Sequence, residues 1–412
     1  MSTMPNTAPI LGLGTIAGGG SLLTTLPPLS LYIHIPWCVR KCPYCDFNSH
    51  EAGGETPERR YIDALISDLD HSLPKIWGRR VYSIFFGGGT PSLFSATAID
   101  EILAAVRARV TLDTEAEITL EANPGTFEAE KFRGFRDAGV NRLSIGIQSF
   151  NEQHLRALGR IHNGDEARRA IGIAQANFDN INLDIMFGLP GAESKQTLEE
   201  CAQDIDTALS FGTRHLSIYH LTLEANTLFH RFPPALPDDE AAADMQDLIG
   251  QKLATAGYTH YETSAYARPG WECRHNLNYW RFGDYLGIGA GAHGKISFAD
   301  RITREMRYKQ PNAFMDNAVV GAGIQEEKTV PPAELPFEFM LNALRLTSGF
   351  AVSLFTERTG LPITAISRQL DLAEHRGLIT RDIKQIQPTE KGRLFLNDLL
   401  EMFLPEKSDR KG

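Results

Sequence analysis

The stretch "LYIHIPWCVRKCPYCDF", residues 31–47, joins a short apolar run to three cysteines within eight positions. Residues 31–36 have the length and β-branched content of a buried strand. Cys38, Cys42 and Cys45 follow it as Cys-x3-Cys-x2-Cys. Thiolates at such spacing bind metal, yet sulfur-ligated metals and iron–sulfur clusters usually take four protein ligands. Either a fourth ligand comes from elsewhere, as in a structural zinc site completed by His50 or His34, or one coordination position is left open. A disulfide framework does not fit. The total of five cysteines, with Cys201 and Cys273, is odd, and such usage predicts a reducing, cytoplasmic setting. Cys201, on a mixed helix face, reads as core or neutral surface.

Outward from this stretch the pattern repeats. β-rich runs at 31–36, 81–86, 117–122, 141–147, 181–187 and 214–220 alternate with amphipathic segments such as "PERRYIDALISDLDHSL" and "ATAIDEILAAVRARV". Strands alternating with helices at this spacing predict a parallel sheet wound by right-handed crossovers. Six units predict an α/β fold, a partial (β/α)6 barrel, with its chemistry at the C-terminal strand ends. The cysteines, the glycines of "FFGGGTPS" and Glu121 of "LEANPG" all fall at such ends.

The expected domain layout is a flexible, Gly-rich extension at 1–28, a core at 29–300, a linker at 301–334 and a C-terminal domain at 335–412. The last reads as helix, helix, a hairpin around "LITRDIKQIQP" and a final helix, a winged-helix-like order. The net charge of −10 and the lack of a long basic run exclude a phosphate-tracking nucleic-acid surface. The C-terminal domain is therefore expected to act as a lid or partner surface. No apolar stretch reaches the roughly 20 residues of a membrane span. The first charged side chain is Arg40, so the basic start of a signal peptide is lacking.

The cysteine loop preceded by "YIHIPWC", together with "GGGTPS", "EANP", "GIQSF", "LGRIH", "DIMFGLPG" and "GIGAGAH", resembles the radical S-adenosyl-L-methionine (SAM) superfamily from about residue 30 to 400. The resemblance implies a 4Fe-4S cluster on Cys38, Cys42 and Cys45, with SAM completing the fourth iron. It implies that Tyr32, Tyr44, Gly88, Gly89, Thr90, Glu121, Gln148, Arg160 and Asp184 contact SAM. "FFGGGTPS" lacks the Lys-Ser/Thr ending of a nucleotide phosphate loop.

Within that superfamily the motifs are similar to the branch holding oxygen-independent coproporphyrinogen III dehydrogenase and the related heme chaperones. The dehydrogenase continues its loop as Cys-x2-Cys-x-Cys and has a longer N-terminal arm; here the extra position is Phe47. The segment His275-Asn276-x-x-Tyr279-Trp280 matches the HNxxYW pattern of the chaperones. On a helix, His275 and Tyr279 share one face and Asn276 and Trp280 another. The resemblance therefore implies heme at these four residues, with His275 as axial ligand and Cys273 as a second candidate. It also implies a heme-accepting partner, for instance a respiratory protein, with membrane contact peripheral at most. The alternative is the dehydrogenase activity itself, a SAM-radical oxidative decarboxylation.

Overall fold

The computed structural model describes residues 23–126, 129–191 and 194–405. The first strand, Leu29–Ile35, is buried at every position except Tyr32. A strand covered on both faces reads as one continuous apolar run, as "LSLYIHI" does. It pairs in parallel with Arg80–Gly88, and the parallel order continues through Thr111–Ala122, Arg142–Gln148, Ile181–Phe187 and His215–His220. Parallel neighbours need long crossovers. The helices Glu58–Ile76, Ala96–Arg109, Ala129–Ala138, Gly164–Asn177 and Leu198–Ser210 supply them. Two start with full capping boxes, Asn163 with Glu166 and Thr197 with Glu200, which satisfy free N–H groups at the helix start.

The expected six strands are thus present, and the sheet around them is larger and open. Beyond the first strand, Asp284–Ile288 adds in parallel, followed by antiparallel His293–Ser297, Ile302–Arg307 and Ile324–Thr329. Beyond the sixth lie antiparallel Ala265–Ala267 and Thr259–Glu262. The linker expected at 301–334 is corrected by this arrangement: it contains two sheet strands and the helix Pro311–Ala318 between them. Its last strand, "IQEEKT", is exposed at nearly every position. Charged side chains on an edge strand block further pairing, and they also hide the strand from an apolar-periodicity search.

Asp284 pins this addition to the barrel, accepting from Lys295 Nζ at 2.8 Å and lying 2.8 Å from Arg79 Nη1, all well inside the protein. The C-terminal residues form helices Leu335–Ala343, Val352–Thr359 and Ser367–His375, then a hairpin of Ile379–Arg381 with Gln385–Pro388. The expected final helix is broken into Glu390–Leu394 and Leu396–Glu401. Phe339 centres the core of this module, with the rings of Phe282, Phe350 and Phe355 within 5.0–5.7 Å. Because Phe282 and Ile302 belong to the barrel side, the two parts share one apolar cluster. Leu23 is buried in it too, and its N–H donates to the Ala299 carbonyl at 3.2 Å. The expected flexible extension is therefore corrected at 23–28, while residues 1–22 lie outside the described residues. Among the described residues no helix is long and apolar enough to cross a membrane.

Candidate functional site

The cysteine loop leaves the first strand at Pro36 and is closed at its base by a two-residue parallel pairing of Trp37–Cys38 with His50–Glu51. Trp37 anchors it, edge-on to Tyr61 at 4.7 Å and stacked on Phe94 at 5.9 Å. Lys41 braces the interior: its Nζ donates to the carbonyls of Phe47 and Ser49, and its N–H donates to Glu51. The glycine run of the second strand crosses directly against this base. Gly89 N–H donates to the Ile35 carbonyl at 2.8 Å and Thr90 N–H to the Trp37 carbonyl at 2.7 Å. A Cβ on Gly89 would sit 2.5 Å from the Trp37 oxygen, and one on Gly88, whose φ is +115°, would run into the His34 ring. Chain crossing therefore demands these glycines before any ligand is considered.

Cys38, Cys42 and Cys45 are free, half-buried thiols that line a cavity of about 320 Å³. Polar groups stand beside each sulfur: the Thr90 hydroxyl lies 3.6 Å from Cys38, Arg160 Nη1 3.7 Å from Cys42 and the Ser49 hydroxyl 3.8 Å from Cys45. Burial pushes the Cys38 and Cys45 thiols up, so in the metal-free protein they hold their protons. Arg160 also donates to the Asn123 side chain at 2.6 Å and the Gly146 carbonyl at 2.7 Å, and Asn123 donates to Thr90 at 2.7 Å. A polar chain thus runs from Cys42 through Arg160, Asn123 and Thr90 to Cys38. Among the described residues no three His, Cys, Asp or Glu side chains converge closely enough to hold a single metal ion. The thiols instead rim a space shared with the strand-end polar groups.

Those groups come from successive strands. Glu121 accepts from Gly88 N–H at 3.2 Å; burial raises its carboxyl to about 8, and the charge of Asp184 adds to the rise. Asp184 accepts from Ser144 at 3.0 Å and Asn182 at 2.8 Å, and burial raises its pKa as well. Gln148 ends its strand at φ +67°, a left-handed conformation uncommon for a side chain of this kind. Tyr44, Gly88, Gly89 and Thr90 line the same cavity, as do Glu121, Gln148, Arg160 and Asp184. Sequence reasoning passed over Asn123, Ser144 and Tyr219, which also line it. Asn123 stood inside the quoted "EANP", and its central place follows only from its bonds to Thr90 and Arg160.

Tyr32 is not in that cavity. Its hydroxyl lies 3.0 Å from His34 Nδ1, and its ring borders a second cavity of about 750 Å³. The two cavities share Cys45, Asp46, Phe47, Ser49, Gly88 and Glu121 as a common wall. Tyr279 and Trp280, on the short helix Arg274–Trp280, also line the second cavity.

His275, the residue expected as axial ligand, does not line it. The residue is 1% exposed, with Nδ1 3.0 Å from the Ser83 hydroxyl and Nε2 3.0 Å from the Tyr279 hydroxyl. Burial lowers its pKa to about 3, with Arg142 assisting, so it stays neutral. Both nitrogens are committed, and the ring holds Tyr279 in place. Asn276 lies outside the cavity lining as well. Cys273 is fully buried and its thiol donates to Glu117 at 3.5 Å, a filler rather than a ligand. Cys201 is buried in the main apolar core.

Comparison with known proteins agrees with this geometry. Residues 32–205 match the model of the radical SAM superfamily, and residues 330–395 match that of the HemN C-terminal domain. The heme chaperone HemW of Escherichia coli K12 is 51% identical over 93% of this chain and 100% of its own length. The heme chaperone HemW of Bacillus subtilis 168 is 34% identical over 92% of this chain and 99% of its own. Among solved structures, the radical SAM enzyme coproporphyrinogen III oxidase (HemN) of Escherichia coli superposes with a TM-score of 0.78. That match covers 92% of this chain and 90% of the other at 23% identity, which establishes a common fold. The three-thiol cavity at the head of an open, partial barrel and the full-length identity together place this chain in the radical SAM superfamily, as a member of the HemW family of heme chaperones.

Proposed function

We propose that this protein is a cytoplasmic carrier that binds heme beside a 4Fe-4S cluster and passes it to an acceptor protein. Its own residues fit the cluster: three thiols that form no disulfide share one cavity rim, and among the described residues no fourth cysteine lines that cavity. Cys38, Cys42 and Cys45 would be the ligands, and Gly88, Gly89, Thr90, Glu121, Gln148, Arg160 and Asp184 would surround SAM on the open iron. Such a cluster supplies one-electron chemistry to a bound sulfonium. Thr90, within hydrogen-bonding range of the Cys38 sulfur, would favour its thiolate form by donating to it, and Arg160 would place a guanidinium beside the Cys42 sulfur.

The observation that carries the proposal is the second cavity, walled by aromatic rings and imidazoles and joined to the first along Cys45 and Glu121. It is large enough for a sizeable ligand by comparison with ordinary sites of about 300–1,000 Å³. Anaerobic reconstitution followed by hemin titration tests the reading. We expect about four irons and four sulfides per chain, a saturable Soret band, and heme transfer to an apo-hemoprotein. Absence of a Soret band in the reconstituted wild type refutes the carrier. Turnover of coproporphyrinogen to protoporphyrinogen with SAM and reductant would replace it by the dehydrogenase.

A further inference from the structure

We infer that the second cavity seats the heme with His293, not His275, on the iron, and with Lys309 facing the propionates. The inference rests on the carrier reading above and goes further by naming the ligand and the orientation.

Four histidines bear on the choice. His275 has both nitrogens hydrogen-bonded within the protein. His34 lines the cavity but is 4% exposed, with Nδ1 3.0 Å from the Tyr32 hydroxyl and Nε2 2.9 Å from the Asn48 carbonyl. His50 also lines it, but its Nε2 is sealed from solvent. His293 is exposed and lines the cavity, and its ring makes no hydrogen bond among the described residues. It begins the strand His293–Ser297, beside the strand Asp284–Ile288 that carries Tyr285. Tyr279 stands edge-on to Tyr285 at 4.5 Å, so two phenol rings and the Trp280 indole wall the space that His293 opens onto. Aromatic faces of this kind suit a flat macrocycle, and neutral imidazole is a common axial ligand of heme iron. Partial burial lowers the pKa of His293, and the charges of Lys309 and Arg304 lower it further, against the opposing pull of Glu326. The ring is therefore neutral and able to ligate at physiological pH.

The charges fit as well. Lys309 and Lys41 are the lysines of this lining, and neither has a carboxylate within ion-pair range among the described residues. Lys41 is occupied by the carbonyls of the cysteine loop. Lys309 is exposed, and its backbone is fixed by a 2.9 Å bond from Asn48 to its carbonyl. Iron on His293 with the propionate edge toward Lys309 would place the porphyrin beside the wall shared with the cluster cavity.

The test is hemin titration of the reconstituted full chain, with the iron–imidazole stretching band of the ferrous complex as the readout. The wild type shows the band. His293→Ala loses it while keeping its iron and sulfide content, and added imidazole restores it. His275→Ala, though destabilised, keeps it. In a second arm Lys309→Gln weakens binding of hemin but not of hemin dimethyl ester, which lacks the charged edge. An unchanged band in His293→Ala, or its loss in His275→Ala or His50→Ala alone, overturns the assignment and leaves the carrier reading standing. A wild type that binds no hemin brings down both.

Discussion

Replacing Gly89 by alanine probes the physical origin of the site, the crossing of the glycine run beneath the cysteine loop. The added Cβ would sit 2.5 Å from the Trp37 oxygen and 2.8 Å from the carbonyl carbons of Pro36 and Trp37. All three atoms are backbone, so no side-chain rotation relieves the clash. Two hydrogen bonds hold the crossing closed, from Gly89 to Ile35 and from Thr90 to Trp37, at 2.8 and 2.7 Å. Relief therefore requires Trp37 and Cys38 to move away, stretching one or both bonds. Overpacking of this kind costs about 1–3 kcal/mol, and loss of one hydrogen bond adds roughly 1 kcal/mol. Because Cys38 is the residue displaced, the damage falls on the thiol geometry as well as on stability. We expect Gly89→Ala to lower the urea midpoint and to reconstitute with well under the wild-type iron and sulfide content. The control is Gly53→Ala, where nothing lies within 4 Å of the new Cβ; it should be neutral or stabilising by about 0.4–1 kcal/mol. Wild-type cluster content and midpoint in Gly89→Ala would show that the crossing is not sterically determined.

Other substitutions test the remaining links. Arg160→Gln removes the guanidinium that donates to Asn123 Oδ1, the Gly146 carbonyl and the Cys42 sulfur; at roughly 1 kcal/mol per hydrogen bond lost, the reconstituted cluster should be lost faster to an iron chelator, and an unchanged rate would refute the polar chain. Glu121 is protonated in the cofactor-free protein up to about pH 8. An unfolded glutamate ionises near pH 4.3, so the folded state holds the extra proton between these limits and its stability falls as pH rises across them. Glu121→Gln should therefore gain stability over wild type, by on the order of a few kcal/mol, more at pH 8 than at pH 5; equal differences at both would refute the shift. Asp284 is held below the usual carboxylate range: Lys295 and Arg79 outweigh its burial. Its contribution is present above the unfolded pKa and lost as pH falls through the folded one. Asp284→Asn breaks the buried cluster and should cost about 3–5 kcal/mol at pH 7, with the gap to wild type closing in acid; a constant gap in urea titrations from pH 7 to pH 3 would count against it.

The separation between legible and illegible features follows from how far each signal reaches along the chain. The six parallel strands could be read because strands buried on both faces carry contiguous apolar runs, such as "INLDIMF" at 181–187. The cysteine spacing is likewise local, and so are the glycines at strand ends. The edge strand Ile324–Thr329 was missed because a polar edge has no such signature, and its inner neighbour Ile302–Arg307 because its buried positions include Thr303, Glu305 and Arg307 rather than an apolar run. At 275–280 the pattern was visible, but which of its side chains face the cavity was not: Tyr279 and Trp280 do, and His275 does not. A histidine one turn from a tyrosine looks like a ligand beside a ring, and only the fold puts Ser83 against its other nitrogen.

The sequence by itself determined the class of chemistry, because three thiols on one short loop can converge whatever surrounds them, and it determined the order of the core strands, because burial on two faces demands apolar runs. Only the tertiary structure decided which side chains face a common space. Asn123 joins Thr90 and Arg160 across residue separations of 33 and 37, and His293 opens onto a cavity walled by Tyr279 and Trp280. Contacts of that kind depend on strand register and on which nitrogen or carbonyl is already satisfied, and no local pattern of residues encodes either.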